Sequence, residues 1–150
     1  MYMLSTAFIL TSFVLTASAK LAIIGEYHGE YRPCSFHQVV VTETEFRDAY
    51  LPNPDSVTNI TQYDNDEKYL VGQNIGDEHY AKDKWSRIDW EYVEGKFTYC
   101  RIVYNADNET EAKSFAKPKI AIKNSCGGFP WSTMTSGLAT LCPPSLPPPA

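Results

Sequence analysis

Apolar and polar residues alternate along much of this chain with the two-residue period of a half-buried β-strand, most sharply between Trp85 and Tyr104. Two aromatic-rich runs there flank Glu94-Gly95. With those two residues as the loop of a hairpin, Tyr92 falls opposite Phe97, Trp90 opposite Tyr99 and Ile88 opposite Arg101, all on one face. That face is predicted to be a core face. The other side carries Asp89, Glu91, Lys96 and Thr98, with Cys100 placed to reach a partner outside the sheet. A slip of one residue reverses the two faces, and Gly95 also suits a bulge.

Strand-favouring residues also fill Leu21-Ala22-Ile23-Ile24, ended by Gly25, and the stretch Phe36 to Phe46, so two strands are predicted there. Between them, Tyr27 to Pro33 reads as a loop or an irregular edge, because Gly29 and Pro33 punctuate it. Leu51-Pro52-Asn53-Pro54-Asp55-Ser56 is a break, since the residue before each proline is pushed out of the helical region. Val57 to Tyr63 and Lys68 to Ile75 predict a third and a fourth strand, joined as a hairpin by the turn chemistry of Asp64-Asn65-Asp66. One short helix is predicted over Glu109 to Ala116, with Asn108 as N-cap, Glu111 at capping-box spacing and Pro118 as its stop. Five or six short strands and one brief helix make an all-β domain, predicted as a small antiparallel up-and-down barrel, with a sandwich as the alternative.

The ends of the chain bear on its compartment. Met1 to Ala19 holds no charged residue and carries an apolar stretch followed by Ala17-Ser18-Ala19, the plan of a signal peptide cleaved before Lys20. Residues 20–142 are then a single β-rich domain, and 143–150 a proline-rich flexible tail. All four cysteines, Cys34, Cys100, Cys126 and Cys142, lie after the signal, and in an exported chain they predict two disulfides with three connectivities open. Asn59-Ile60-Thr61 and Asn108-Glu109-Thr110 are acceptor sequons for N-linked sugar at Asn59 and Asn108. A formal net charge of -5 with scattered lysines and arginines argues against a nucleic-acid partner. No membrane span is expected once the signal is cleaved, and no motif asks for a cofactor or a metal.

Trp85-Ser86-Arg87-Ile88-Asp89-Trp90, Tyr99-Cys100 with Tyr104, and Cys126-Gly127-Gly128-Phe129-Pro130-Trp131 resemble a group of small exported proteins, mainly bacterial and functionally uncharacterised. Tyr63-Asp64-Asn65 and Gln73-Asn74 belong to the same likeness. The resemblance implies a Cys100–Cys126 bridge, leaving Cys34 and Cys142 for a second one, and implies no activity. At fold level, Gly25-Glu26-Tyr27 beside the first strand, together with Arg101 on the aromatic face, is similar to the way lipocalins begin and close their barrels. The lipocalin pattern has Trp where Tyr27 stands.

Several clusters could carry chemistry. His28 and His37, with Glu26 and Glu30 near in sequence, suit metal ligation or proton transfer, although the spacing matches no metal signature. Asp64 to Glu67 gathers oxygens without the EF-hand pattern and reads more simply as a polar hairpin tip, as does Asp77-Glu78-His79. Asp89 is expected in a structural ion pair with Arg87 or Lys96. Gly127-Gly128 could cradle an anion, or permit a sharp turn while Phe129 and Trp131 plug the core. No serine-nucleophile elbow is present.

The leading expectation is a secreted binding protein whose barrel holds a small apolar or aromatic ligand, lined by Trp90, Tyr92, Phe97, Tyr99, Arg101 and Trp131. The first alternative is an extracellular structural or protein-interaction module with a packed core and an exposed apolar patch. The second is a secreted hydrolase-type enzyme in which His28 or His37 meets a carboxylate.

Overall fold

The computed structural model describes residues 19–29, 37–50, 55–75 and 81–137. The expected signal segment up to residue 18, Cys34 and Cys142 and so the second bridge expected of them, the Asp77-Glu78-His79 cluster and the proline-rich tail lie outside the described residues.

The strands are β1 Gly25–Gly29, β2 His37–Val41, β3 Glu45–Tyr50, β4 Ser56–Asp64, β5 Tyr69–Asn74, β6 Trp85–Val93, β7 Lys96–Ala106 and β8 Ser132–Ser136, with the helix α1 Glu109–Ser114 between the last two. Each pairs antiparallel with its neighbours in chain order and β8 returns to β1, so the sheet closes into an up-and-down barrel. At eight strands, such a barrel is just wide enough for side chains to fill, or to hold one small ligand.

The hairpin of β6 and β7 has the register its alternation predicts: Tyr92 opposite Phe97, Trp90 opposite Tyr99, Ile88 opposite Arg101. Glu94 and Gly95 both take positive φ, 50° and 78°, the two-residue turn whose twist matches its strands. β4 and β5 also form where the pattern puts them, and Asn108 caps α1, its side chain accepting from the Glu111 amide at 2.9 Å.

Three expectations are corrected. Leu21 to Ile24 is no strand; the first strand begins at Gly25 and uses Tyr27 and His28, residues read as loop. Leu21 and Ile23 are buried instead as a plug, because Asn65 fixes the segment from both sides, accepting from the Ala22 amide and donating to the Lys20 carbonyl, each at 2.9 Å. Residues 37–46 hold β2 and the start of β3 rather than one strand, since the Thr42 hydroxyl accepts from the amides of Thr44 and Glu45 and turns the chain between them. β8 arises from Ser-Thr-Met-Thr-Ser, too polar to announce itself; long-range pairing with β1 and β7 and full burial of Met134 override the weak local preference. The described residues thus hold eight strands, not five or six.

Alternation divides the buried residues between two faces. Leu21, Ile23, Tyr27, Val39, Val41, Phe46, Leu70, Ile88, Trp90, Phe97, Tyr99 and Met134 fill the barrel interior. On the outer face of β5, β6 and β7, Tyr69, Val71, Val103 and Ala106 pack under Ala112 of α1. The Cys100–Cys126 disulfide, the bridge the resemblance implies, pins the segment after α1 to that outer face.

Candidate functional site

The two ends of the barrel differ. At one end, short turns join β2 to β3, β4 to β5 and β6 to β7, and Leu21 and Ile23 close it. Tyr27 belongs here: its hydroxyl donates to the Ile23 carbonyl at 2.9 Å, and its ring lies 4.3 Å from that of Phe97. Phe97 stacks on Tyr99 at 5.7 Å, and Phe46 meets Tyr99 edge-on at 5.3 Å. The rings in this half of the interior therefore satisfy one another.

Towards the other end, where the longer connections lie, the inward positions turn polar. The alternation that buries Val39 and Val41 of β2 brings His37 inward, and the one that buries Phe46 of β3 brings Asp48 and Tyr50 to the same face. His37 Nε2 lies 2.8 Å from Asp48 Oδ1 and 3.1 Å from the Tyr99 hydroxyl, which donates to Asp48 Oδ2 at 2.7 Å. The Tyr50 ring stacks on His37 at 3.8 Å and is half exposed, at the mouth. Burial, then the charge of Asp48, holds the Tyr99 phenol well above its ordinary value, so it remains a donor. Tyr50 is raised for the same two reasons, opposed by hydrogen bonds to Ser132 and Tyr99 and by the charge of Arg101.

Beside this triad, Thr58, Asn74 and Ser86 are buried and mutually bonded: the hydroxyls of Thr58 and Ser86 donate to Asn74 Oδ1 at 3.1 and 2.7 Å. Asn74 donates in turn to the carbonyls of Ala81 and Tyr104. This group is fully satisfied and rigid.

Arg101 is not satisfied. Opposite Ile88 on β7, it is half-buried, and its Nη1 donates to the Ser56 hydroxyl. Its Nε and Nη2 are buried with no hydrogen-bond acceptor. It makes no ion pair among the described residues. Trp90 Nε1 is likewise buried and without a partner.

Of the side chains expected to line a ligand site, Trp90, Phe97 and Tyr99 are in the barrel interior, and Arg101 faces the same side at its polar end. Tyr92 is half exposed at the closed end, its hydroxyl 3.2 Å from that of Tyr27. Trp131 stands apart from the interior cluster, its Nε1 donating to Ser125 Oγ at 3.1 Å. Phe129 is 72% exposed and plugs nothing, while Gly127 and Gly128, both at positive φ, form the sharp turn beside the disulfide. Tyr27 and Arg101, joined in the lipocalin analogy, sit towards opposite ends.

His28 faces outward and bonds the Gly137 carbonyl at 3.0 Å, whereas His37 faces inward; they share no site. Among the described residues, no three His, Cys, Asp or Glu side chains come together as metal ligands. Asp64 Oδ1 accepts from the amides of Asp66 and Glu67, a self-contained polar turn. Asp89 is fully buried on the outer face in an ion pair with Arg87, one of the two partners expected for it, at 2.8 Å. Asn59 and Asn108 are both exposed, and Asn108 caps α1 through its oxygen, leaving the amide nitrogen outside that bond.

Asp48, Tyr50 and Ser56 were missed as site residues by sequence reasoning. The signal was there: after Val39 and Val41, the positions Phe46, Asp48 and Tyr50 continue an inward series once a turn is set at Thr42 to Thr44. Comparison with known protein families, curated proteins and solved structures finds no match in any of the three.

Proposed function

We propose that this chain is a secreted binding protein whose barrel takes up a small apolar or aromatic ligand through its polar end. The observation that carries this reading is the buried Arg101 guanidinium with two unfilled donors, set among Ser56, Tyr50 and Tyr99. Unpaired buried donors of a charged group are costlier than a neutral one such as Trp90 Nε1, and their persistence beside the satisfied Thr58, Asn74 and Ser86 group supports a place kept for a partner. The rings of Tyr50, His37 and Tyr99 offer flat apolar surface beside it. The imidazole is committed at Nε2 to Asp48 and Tyr99, which fits a role in orienting Tyr99 better than one as a general base in a hydrolase.

Native mass spectrometry of the mature protein, taken from its own secretions and compared before and after denaturation, tests the reading. A small molecule retained natively and released on unfolding is the expected result. A native mass fully explained by polypeptide, sugars and disulfides, with no added small molecule bound in titration, sinks it.

A second reading rests on a separate observation. Ile120, Ile122 and Phe129 are exposed on the segment after α1, with Phe129 at 72%, as an extracellular interaction module would require. It gains only if the interior binds nothing while Phe129→Ser lowers the chain's self-association or partner binding.

A further inference from the structure

Building on that binding reading, we infer that the group recognised at the polar end is a carboxylate carried by the small ligand, held by Arg101 in a two-point fork. The chain contains its own precedent on the opposite face of the same sheet. There, Arg87 turns the edge formed by Nε and Nη2 towards Asp89, with Nε at 3.2 Å from both carboxylate oxygens and Nη2 at 2.8 Å from Oδ1, while Nη1 is tied to the Lys113 carbonyl. Arg101 is arranged in the same way up to the last step. Its Nη1 is tied, to Ser56, and the Nε and Nη2 edge is buried without an acceptor. A planar carboxylate is the acceptor that fits both donors of such an edge at once.

The surroundings favour an external acid over an internal one. Asp48 is the carboxylate of the described interior, and both its oxygens already accept a hydrogen bond, Oδ1 from His37 and Oδ2 from Tyr99. Ser56, Thr58, Asn74, Ser86 and Tyr99 add hydroxyls and an amide but no second negative charge. An entering acid thus meets one cation without an ion-pair partner among the described residues, and the paired Asp48 is the one anion described there. The body of the ligand then lies towards the Tyr50 and His37 rings at the mouth, because the rings deeper in the barrel already pack on one another.

The test uses four shape-matched pairs of acid and primary amide: acetate and acetamide, benzoate and benzamide, 2-naphthoate and 2-naphthamide, octanoate and octanamide. Each is titrated into the mature protein by calorimetry and by the fluorescence of its tryptophans. At least one acid is expected to bind at least about tenfold more tightly than its amide, the size of a charge-assisted hydrogen-bond pair. Arg101→Gln is expected to abolish that preference. Should Arg101→Gln fail to fold, the wild-type protein still decides: of its four arginines, Arg101 alone is expected to show a shifted Nε–H resonance in nitrogen-15 NMR with the acid and not with the amide. Equal binding of acid and amide overturns the carboxylate assignment and leaves the binding reading standing. An acid preference that survives Arg101→Gln, or an unmoved Arg101 resonance, removes Arg101 from the role. If no member of any pair binds, both inferences fall.

Discussion

Two arginines on opposite faces of one sheet show how a single side chain is handled when its charge leaves water. Arg87 is nearly buried, covers the Tyr69 ring at 4.3 Å and meets Asp89, which is fully buried. Burial pushes the Asp89 carboxyl above its ordinary value, while the hydrogen bonds and charge of Arg87 pull the other way. Neither charge is tolerable there alone. Asp89→Ala is therefore expected to destabilise the fold by about 3–5 kcal/mol, the usual cost of leaving one member of a buried pair uncompensated. Equilibrium urea unfolding reads this directly, and a loss under about 1 kcal/mol would show that water reaches Arg87. Asp89→Ala combined with Arg87→Met should recover a large part of the loss, since the cost lies in the orphaned charge and not in the absent attraction.

At the scale of the element, β4 and β5 show what a strand pair does with an inserted residue. The register between them shifts from Ile60–Gly72 to Gln62–Val71, so β4 carries a bulge at Thr61. Gly72 sits under it: a Cβ there would lie 2.2 Å from the Asn59 carbonyl oxygen and 2.8 Å from the Thr58 methyl. Backbone cannot yield as a side-chain tip does. Gly72→Ala is expected to cost about 3 kcal/mol or more, at the upper end of overpacking penalties, and to lower the thermal midpoint visibly in calorimetry. A midpoint within a degree of wild type would mean that the bulge relaxes freely. The same scale explains what the sequence could announce. The β6–β7 hairpin was legible down to its pairs because Glu94-Gly95 fixes the register and the aromatics fix the face, and with it came Tyr99 and Arg101. His37, Asp48 and Tyr50 were not assembled into a site, because the turn at Thr42 to Thr44 that pairs β2 with β3 was not read, and Tyr99 reaches them only once β7 is curved across the barrel. β8 was illegible for a related reason: one buried methionine in a polar pentapeptide carries no period of its own, and its strand character is lent by β1 and β7.

At the scale of the whole molecule, closure of the barrel depends on a strand that is weak by itself. β8 pairs with β7 over three residues, Met134 to Ser132, and with β1 over three, Ser136 to Met134. The long connection that delivers it leaves β7, forms α1 on the outer face and returns past Cys126, where the bridge to Cys100 fastens it to the middle of β7. The bridge spans 26 residues in sequence. On the chain-entropy account, a loop of that length corresponds to about 3.5 kcal/mol. Cys100→Ala with Cys126→Ala is accordingly expected to lower unfolding free energy in urea by about 3 kcal/mol. The loss should not be uniform. With its delivering segment untethered, β8 is expected to open before the rest, so that the amides of β8 and the β1 edge facing it lose hydrogen-exchange protection while those of β5 and β6 keep theirs. Equal loss in all strands would mean that the bridge acts only on the unfolded chain. Selective loss at β8 would place it as the tether that keeps the barrel, and with it the geometry around Arg101, closed.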